Sequence, residues 1–221
     1  MTFLAASLFR ATLPHWNGLG YITLLPVAAV WLRDMQTKTA RNFLVISLSL
    51  TIAIVLLSVM QIATGFIPVK KITKLIGIRV ADDYSLEVYG WRQMRRDFIP
   101  LADKYESKGL MPAGAPIVSY RWFPAANYSY YAARGTIRFV MAAGDTAAIH
   151  KYAWINAIQG GFKLNGDAWY ITSSRDFRHP RSLPALYFEK ISLPDTIPIR
   201  RCGKTVYSFY VYRMKNLQSK R

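Results

Sequence analysis

The sequence contains one cysteine and three histidines in 221 residues. A single thiol excludes an internal disulfide framework and any cysteine-rich zinc site, and three dispersed imidazoles leave little material for a metal cluster. Acidic residues are scarce as well: 12 Asp and Glu stand against 29 Lys and Arg, a net charge of +17. Neither GxGxxG nor GxSxG occurs, and there is no internal repeat or low-complexity tract. These absences set aside a dinucleotide-binding turn and a serine-hydrolase elbow. Apolar residues are abundant, at 52%, too many for a disordered polycation. A chain both very basic and very apolar must separate the two properties along its length, and this one does.

The stretch Phe43 to Val69 carries no charged residue over 27 positions, and about 20 such residues suffice to cross the hydrocarbon layer. Gly65 and Pro68 mark its exit, so the span is expected at about 43–62. A second uncharged stretch, Leu13 to Leu32, contains Gly18, Gly20 and Pro26, which membrane helices tolerate. Trp16, Tyr21 and Trp31 lie towards its ends, where amphipathic rings favour the headgroup zone. A span at about 14–32 is expected there. Met1 to Phe9 is too short to span and lacks the basic start and cleavage site of a signal peptide, so the beginning reads as abrupt, as though sequence preceded it. Arg33, Lys38 and Arg41 between the spans compete with Lys70, Lys71, Lys74 and Arg79 after them, and charge alone leaves the orientation undecided.

From Lys70 onward the composition changes. Residues 70–221 hold 25 basic and 11 acidic side chains, and hydrophobic blocks become short. The spacing of Trp91, Met94, Phe98, Leu101 and Tyr105 predicts a helix over 89–108, kinked or divided by Pro100. Strands are expected at 116–120, 136–142 and 168–173. Helices are expected at 124–133 and, capped by Asp145 and ended by Gly160 and Gly161, at 145–158. A brief helix follows Pro180 over 183–191, and two strands, 196–200 and 205–213, flank the turn at 200–204. Strands alternating with helices imply a layered α/β module. The fold class is therefore a membrane protein with two transmembrane helices, residues 1–69, followed by a layered α/β soluble domain, residues 70–221.

Few residues offer chemistry. Gly203-Lys204-Thr205 is similar to the end of a phosphate-binding loop, but position 198 is Pro where that motif needs Gly, so a hairpin turn is favoured. Asp82 and Asp83 are adjacent, point to opposite faces of an extended chain, and suit a cap or turn. His150 and His179 lack ligand spacing. Asn127-Tyr128-Ser129 fits a glycosylation sequon, and Cys202 beside Arg200 and Arg201 has a setting that favours thiolate. The aromatic segment Ser119 to Tyr131, next to Arg121, could stack sugar rings or bases; the helical spacing of Phe123, Ala126 and Tyr130 favours core packing instead. His15 and Trp16, close to Arg10 at the membrane edge, could hold the phosphate of a lipid-linked donor or serve as an interfacial anchor.

Two blocks carry a resemblance. LPHWNGLGYITLLPVAAVWL, residues 13–32, resembles the HW-containing segment that opens a late membrane helix in bacterial integral-membrane glycosyltransferases of the protein-mannosyltransferase type, the group that includes the lipid A aminoarabinose transferases. DDYSLEVYGWRQM, residues 82–94, is similar to the Asp-rich, Tyr-Gly-Trp stretch that begins their C-terminal soluble domain. The resemblance extends over about residues 10–215. It implies a polyprenyl-phosphate sugar as donor, location in the inner (plasma) membrane, and an extracytoplasmic soluble domain. Those enzymes have around a dozen membrane helices and a catalytic carboxylate in their first extracytoplasmic loop, and nothing here matches that loop. The expectation is thus a C-terminal portion, inactive without a missing N-terminal membrane portion, with no catalytic residue, metal or cofactor of its own. Arg10, His15 and Trp16 are its candidate substrate-binding residues. The alternative is a complete membrane-anchored basic module that binds anionic lipid or an acidic polymer. Its partners are the bilayer and an anion; nucleic acid is not expected, because no recognised fold signature accompanies the charge.

Overall fold

A computed structural model describes residues 18–35, 37–69, 83–184 and 186–218. The chain divides into two compact units, residues 1–59 and 60–221.

In the first unit, helix α1 (Gly18–Asp34) carries Pro26 internally, and helix α2 (Thr37–Thr64) runs on into the second unit. Trp31 meets Phe43 edge to face at 5.8 Å. At about 1.5 Å per residue, the 28 residues of α2 reach beyond the roughly 30 Å of hydrocarbon in a bilayer. Among the described residues α2 is the one helix long and apolar enough to cross a membrane. The 17 described residues of α1 fall short of that length. Helix α2 also begins before the expected Phe43, because Lys38 and Arg41 continue its hydrogen bonding although they end its apolar stretch.

The second unit is built on a six-stranded sheet. A 3-10 turn (Tyr84–Glu87) leads to helix α3 (Trp91–Ser107), whose buried stripe is Trp91, Met94, Phe98 and Ala102. Pro100 does not divide α3, contrary to expectation. The carbonyl that it deprives of a donor is that of Arg96, an exposed residue whose backbone water can reach. Strand β1 (Ile117–Ser119) follows, then helix α4 (Trp122–Tyr128) widening into a π-turn (Ser129–Ala133), and strand β2 (Val140–Ala142). Strand β2 is shorter than expected because Thr136 folds back: its hydroxyl accepts the Arg138 N–H at 3.1 Å. The Arg138 guanidinium is buried against Asp103 (2.7 Å) and Glu106 (2.8 Å) of α3.

Asp145 caps helix α5 (Thr146–Ile149) through the Ala148 N–H at 2.7 Å. The expected single helix over 145–158 is broken at His150, φ +47°, and resumes as α6 (Tyr152–Ile158). Strand β3 (Ala168–Ser173) occupies the expected 168–173. The helix expected over 183–191 is instead a 3-10 turn (Pro180–Ser182) followed by strand β4 (Tyr187–Ile191). Pairing with a long neighbouring strand overrides local preference there, Phe188 opposite Leu217 and Ile191 opposite Met214. Strands β5 (Asp195–Arg201) and β6 (Lys204–Gln218) form the expected hairpin. Its two-residue turn, Cys202 (φ +48°) and Gly203 (φ +78°), has the positive φ pair of a type I′ connection.

The strand order is β2-β1-β3-β6, with β5 and β4 pairing successive stretches of β6. β2, β1 and β3 are mutually parallel; β6 runs antiparallel to β3, β4 and β5. The central strands are covered on both faces. In β3, Trp169 and Ile171 enter a core with Phe98, Met94 and Tyr128, whereas Ala168 and Tyr170 enter one with Phe188, Tyr212 and Met214. This double burial explains why AWYIT reads as an unbroken apolar block.

Candidate functional site

β2 follows β1 on one side of it, whereas β3 lies on the other. The chain thus leaves β1 in one direction and enters β3 in the other, which is where parallel sheets open a crevice beyond their carboxyl ends. A cavity of about 240 Å³ lies there. Its floor is Tyr120 and Arg121 at the end of β1 and Thr172, Ser173, Arg175 and Asp176 at the end of β3. Tyr84, Leu86, Glu87 and Trp91 form one wall; Phe123 and Tyr128 of α4 and Tyr207 and Phe209 of β6 complete it.

The aromatic wall is rigid. Trp91 packs on Phe209 (5.3 Å between centroids) and edge to face on Tyr128 (5.6 Å), and Tyr207 packs on Phe209 (5.4 Å). Gly90 is required for this arrangement. It has φ +91°, and a Cβ there would lie 2.5 Å from Ile199 Cγ2 and 2.6 Å from the Tyr207 hydroxyl. That hydroxyl donates to the Tyr89 carbonyl, so the Tyr-Gly-Trp sequence is where backbone and ring meet.

The polar groups converge on Asp176. Its Oδ2 accepts from the Tyr120 hydroxyl and from Arg121 Nη2. Arg121 keeps a buried Nε with no hydrogen-bond partner among the described residues. The loop carrying Asp176 is held by its own side chains. Thr172 Oγ1 accepts the Arg178 N–H (3.2 Å) and donates to the Asp176 carbonyl (3.3 Å), while Ser173 Oγ accepts the Arg175 N–H (3.1 Å). Arg175 lies over the Tyr207 ring at 5.8 Å and donates to the Asp83 carbonyl at 3.3 Å. Burial, then the bond to Asp176, pushes the Tyr120 hydroxyl far above its ordinary pKa; burial does the same for Tyr128 and Tyr207. All three remain neutral hydroxyls at any physiological pH.

Behind the Tyr84–Glu87 wall is a buried ion pair. Arg201 Nη2 donates to Asp83 Oδ2 at 2.7 Å and Nη1 to Ser85 Oγ at 2.9 Å. Burial raises the Asp83 pKa, but the hydrogen bonds from Arg201 and Ser85 outweigh it, and the carboxyl is held below its ordinary value. Gly65 lies so close to Arg201 that a Cβ would overlap its guanidinium. A second cavity, of about 390 Å³, opens at the opposite ends of the parallel strands, lined by Pro116, Phe139, Ala168 and Phe188. Its one carboxylate, Asp167, is already paired with Lys215 at 3.0 Å and with the Asn216 N–H.

The residues singled out from sequence have varied fates. Arg10, His15 and Trp16 lie outside the described residues, as does Asp82. Asp83 is a cap, accepting the Ser85 N–H at 3.0 Å. His179 accepts the Arg181 N–H (3.2 Å) at the start of its 3-10 turn, and His150 packs against Trp122 at 5.6 Å. No group of His, Cys, Asp or Glu among the described residues could hold a metal ion. Asn127 is helical and donates to the Phe123 carbonyl. Cys202 is exposed at the hairpin turn. In the aromatic segment the fully buried residues are Ala125, Tyr128 and Ala132; of the expected Phe123, Ala126 and Tyr130, Phe123 packs half-buried against the core and lines the crevice, while Ala126 and Tyr130 are exposed. Sequence reasoning missed Asp176, Arg175, Tyr207 and Phe209. The available signal was the polar cluster directly after the apolar block of β3, since a parallel strand's carboxyl end is where such groups act.

No family model, no curated protein and no solved structure matches this chain.

Proposed function

We propose that the chain is the C-terminal part of a membrane glycosyltransferase that draws on a polyprenyl-phosphate sugar and is inactive without further membrane segments. In this reading residues 14–32 and 43–62 span the plasma membrane, and the α/β domain is extracytoplasmic. Arg10, His15 and Trp16 meet the leaving phosphate of the donor. Phosphate departure is favoured there by cationic and imidazole hydrogen bonds, while the base that activates the acceptor belongs to segments outside this sequence.

The observation that supports this reading most is where the Tyr-Gly-Trp block lies. The stretch that carries the resemblance supplies Tyr84, Leu86, Glu87 and Trp91 to one wall of an aromatic crevice. Aromatic faces with a few convergent hydrogen-bonding groups suit a sugar better than a purely structural linker. The test is to translate the DNA upstream of the Met1 codon in frame, express the extended protein, and follow label from a polyprenyl-phosphate hexose. The expected result is that the extended protein transfers label and the 221-residue chain does not. Transfer by the short chain alone, or an upstream frame without hydrophobic spans, overturns the proposal.

The excess of 25 basic over 11 acidic residues in 70–221 favours a second reading, an anchored module that binds anionic lipid or polymer. Each basic group near such a surface contributes up to about 1 kcal/mol. That reading requires vesicle binding that weakens steeply as salt rises.

A further inference from the structure

We propose that the crevice beyond β1 and β3 binds a single neutral pyranose ring, held between its aromatic wall and the Tyr120–Arg121–Asp176 cluster. This deepens the glycosyltransferase reading by assigning the soluble domain a sugar site of its own, separate from the lipid-phosphate donor.

Size, surface chemistry and charge each support the assignment. The volume of about 240 Å³ lies below the roughly 300–1,000 Å³ that takes drug-sized ligands, which suits one ring rather than an oligosaccharide or a lipid chain. A pyranose has weakly positive C–H faces and a rim of hydroxyls. The ring faces of the wall that remain accessible, those of the exposed Tyr84 and the half-buried Phe123, complement the former. The rim needs donors and acceptors together, and the cluster offers both: the Asp176 carboxylate, engaged through Oδ2 by Tyr120 and Arg121, is an acceptor, and the Arg121 guanidinium is a donor. The charges compensate. Among the described lining residues Arg121 and Arg175 stand against Asp176 and Glu87, so the lining itself carries no net charge. The site is also preorganised: Trp91, Tyr128 and Phe209 are buried and locked on one another, and Thr172 and Ser173 fix the Asp176 loop. Little conformational entropy is then lost on binding.

The experiment is saturation-transfer difference NMR on the full chain in lipid nanodiscs, free of sugar-based detergent. The probes are methyl glucoside and methyl mannoside (both pyranosides), glucuronate and methyl phosphate, each of which has non-exchangeable protons to observe. Neutral pyranosides receive saturation and compete with one another. Asp176→Asn and Tyr84→Ala each weaken them about tenfold, the loss of one good polar or stacking contact. Trp154→Ala, an exposed aromatic outside the crevice (68% exposed), changes nothing. Tyr84 is equally exposed at 68%, so its variant keeps the test valid if Asp176→Asn fails to fold by circular dichroism. Absence of transfer to neutral pyranosides, transfer to the anions alone, or signals that both crevice variants leave intact overturns the proposal. Failure here while the extended protein still transfers label removes only the sugar site. Binding here without any upstream spans removes the transferase reading and leaves a membrane-anchored sugar-binding module.

Discussion

The two units use the same apolar residue types in opposite ways. In α2, Ile46 and Leu48 are 67% and 62% exposed, whereas in the α/β unit Ile117 and Ile171 are wholly buried. The difference lies in what satisfies the backbone and what surrounds the side chains. Helix α2 satisfies its hydrogen bonds internally and can present apolar side chains all round to lipid. Strands β1 and β3 must pair with neighbours, and their apolar side chains find cover in α3, α4 and the second core. An apolar run therefore has no fixed meaning until its length and its breaks are read.

The largest test of this contrast is in the α/β core. Phe98 is fully buried and packs edge to face on Trp169 at 5.8 Å. Phe98→Ala is expected to destabilise that unit by about 3–5 kcal/mol, seen as a lower urea midpoint by tryptophan fluorescence. The reverse experiment alters α2. Leu50→Arg, at an outward position, should cost about 3 kcal/mol of insertion free energy in a translocon-based assay while leaving the core's urea midpoint unchanged. A shift of that midpoint would show that α2 packs as a core helix.

A smaller effect sharpens the α/β side of the comparison. Asp83→Asn removes a charge-assisted bond to Arg201 and should cost roughly 1.5–3 kcal/mol at neutral pH. The Asp83 carboxyl is held below its ordinary value of 3.8. The stability it adds is therefore fully present above that value and is lost as pH falls through the lower folded-state value. The wild-type chain and the variant should converge in urea midpoint in strong acid, and a gap that persists there would mean that Asp83 acts through packing and not through its charge.

Much of the second unit was legible. Asp145 as a cap, the β3 block, the α3 stripe of Trp91, Met94 and Phe98, and the Cys202–Gly203 hairpin are all local signals, decided by a few neighbouring residues. The failures share a cause. Local signals predict a helix at β4 because its partner, the far end of β6, is distant in sequence. The spacing over 145–158 predicts one continuous helix, whereas the positive φ of His150 interrupts it. The inward face of α4 matches the expected spacing only at Phe123, because Tyr128 and Ala125 turn inward only once β1, β3 and β6 are in place.

The sequence by itself determined the partition: an uncharged stretch long enough for a bilayer, followed by a basic α/β module with short alternating elements. Those properties depend on length, charge and periodicity, which are readable one segment at a time. Only the tertiary structure decided the crevice. Tyr84, Tyr120, Asp176 and Tyr207 are separated by up to 123 positions and become neighbours because β1 and β3 are adjacent parallel strands and β6 lies beside β3. Strand order is set by the total burial of two cores at once, and no local stretch of sequence carries that information.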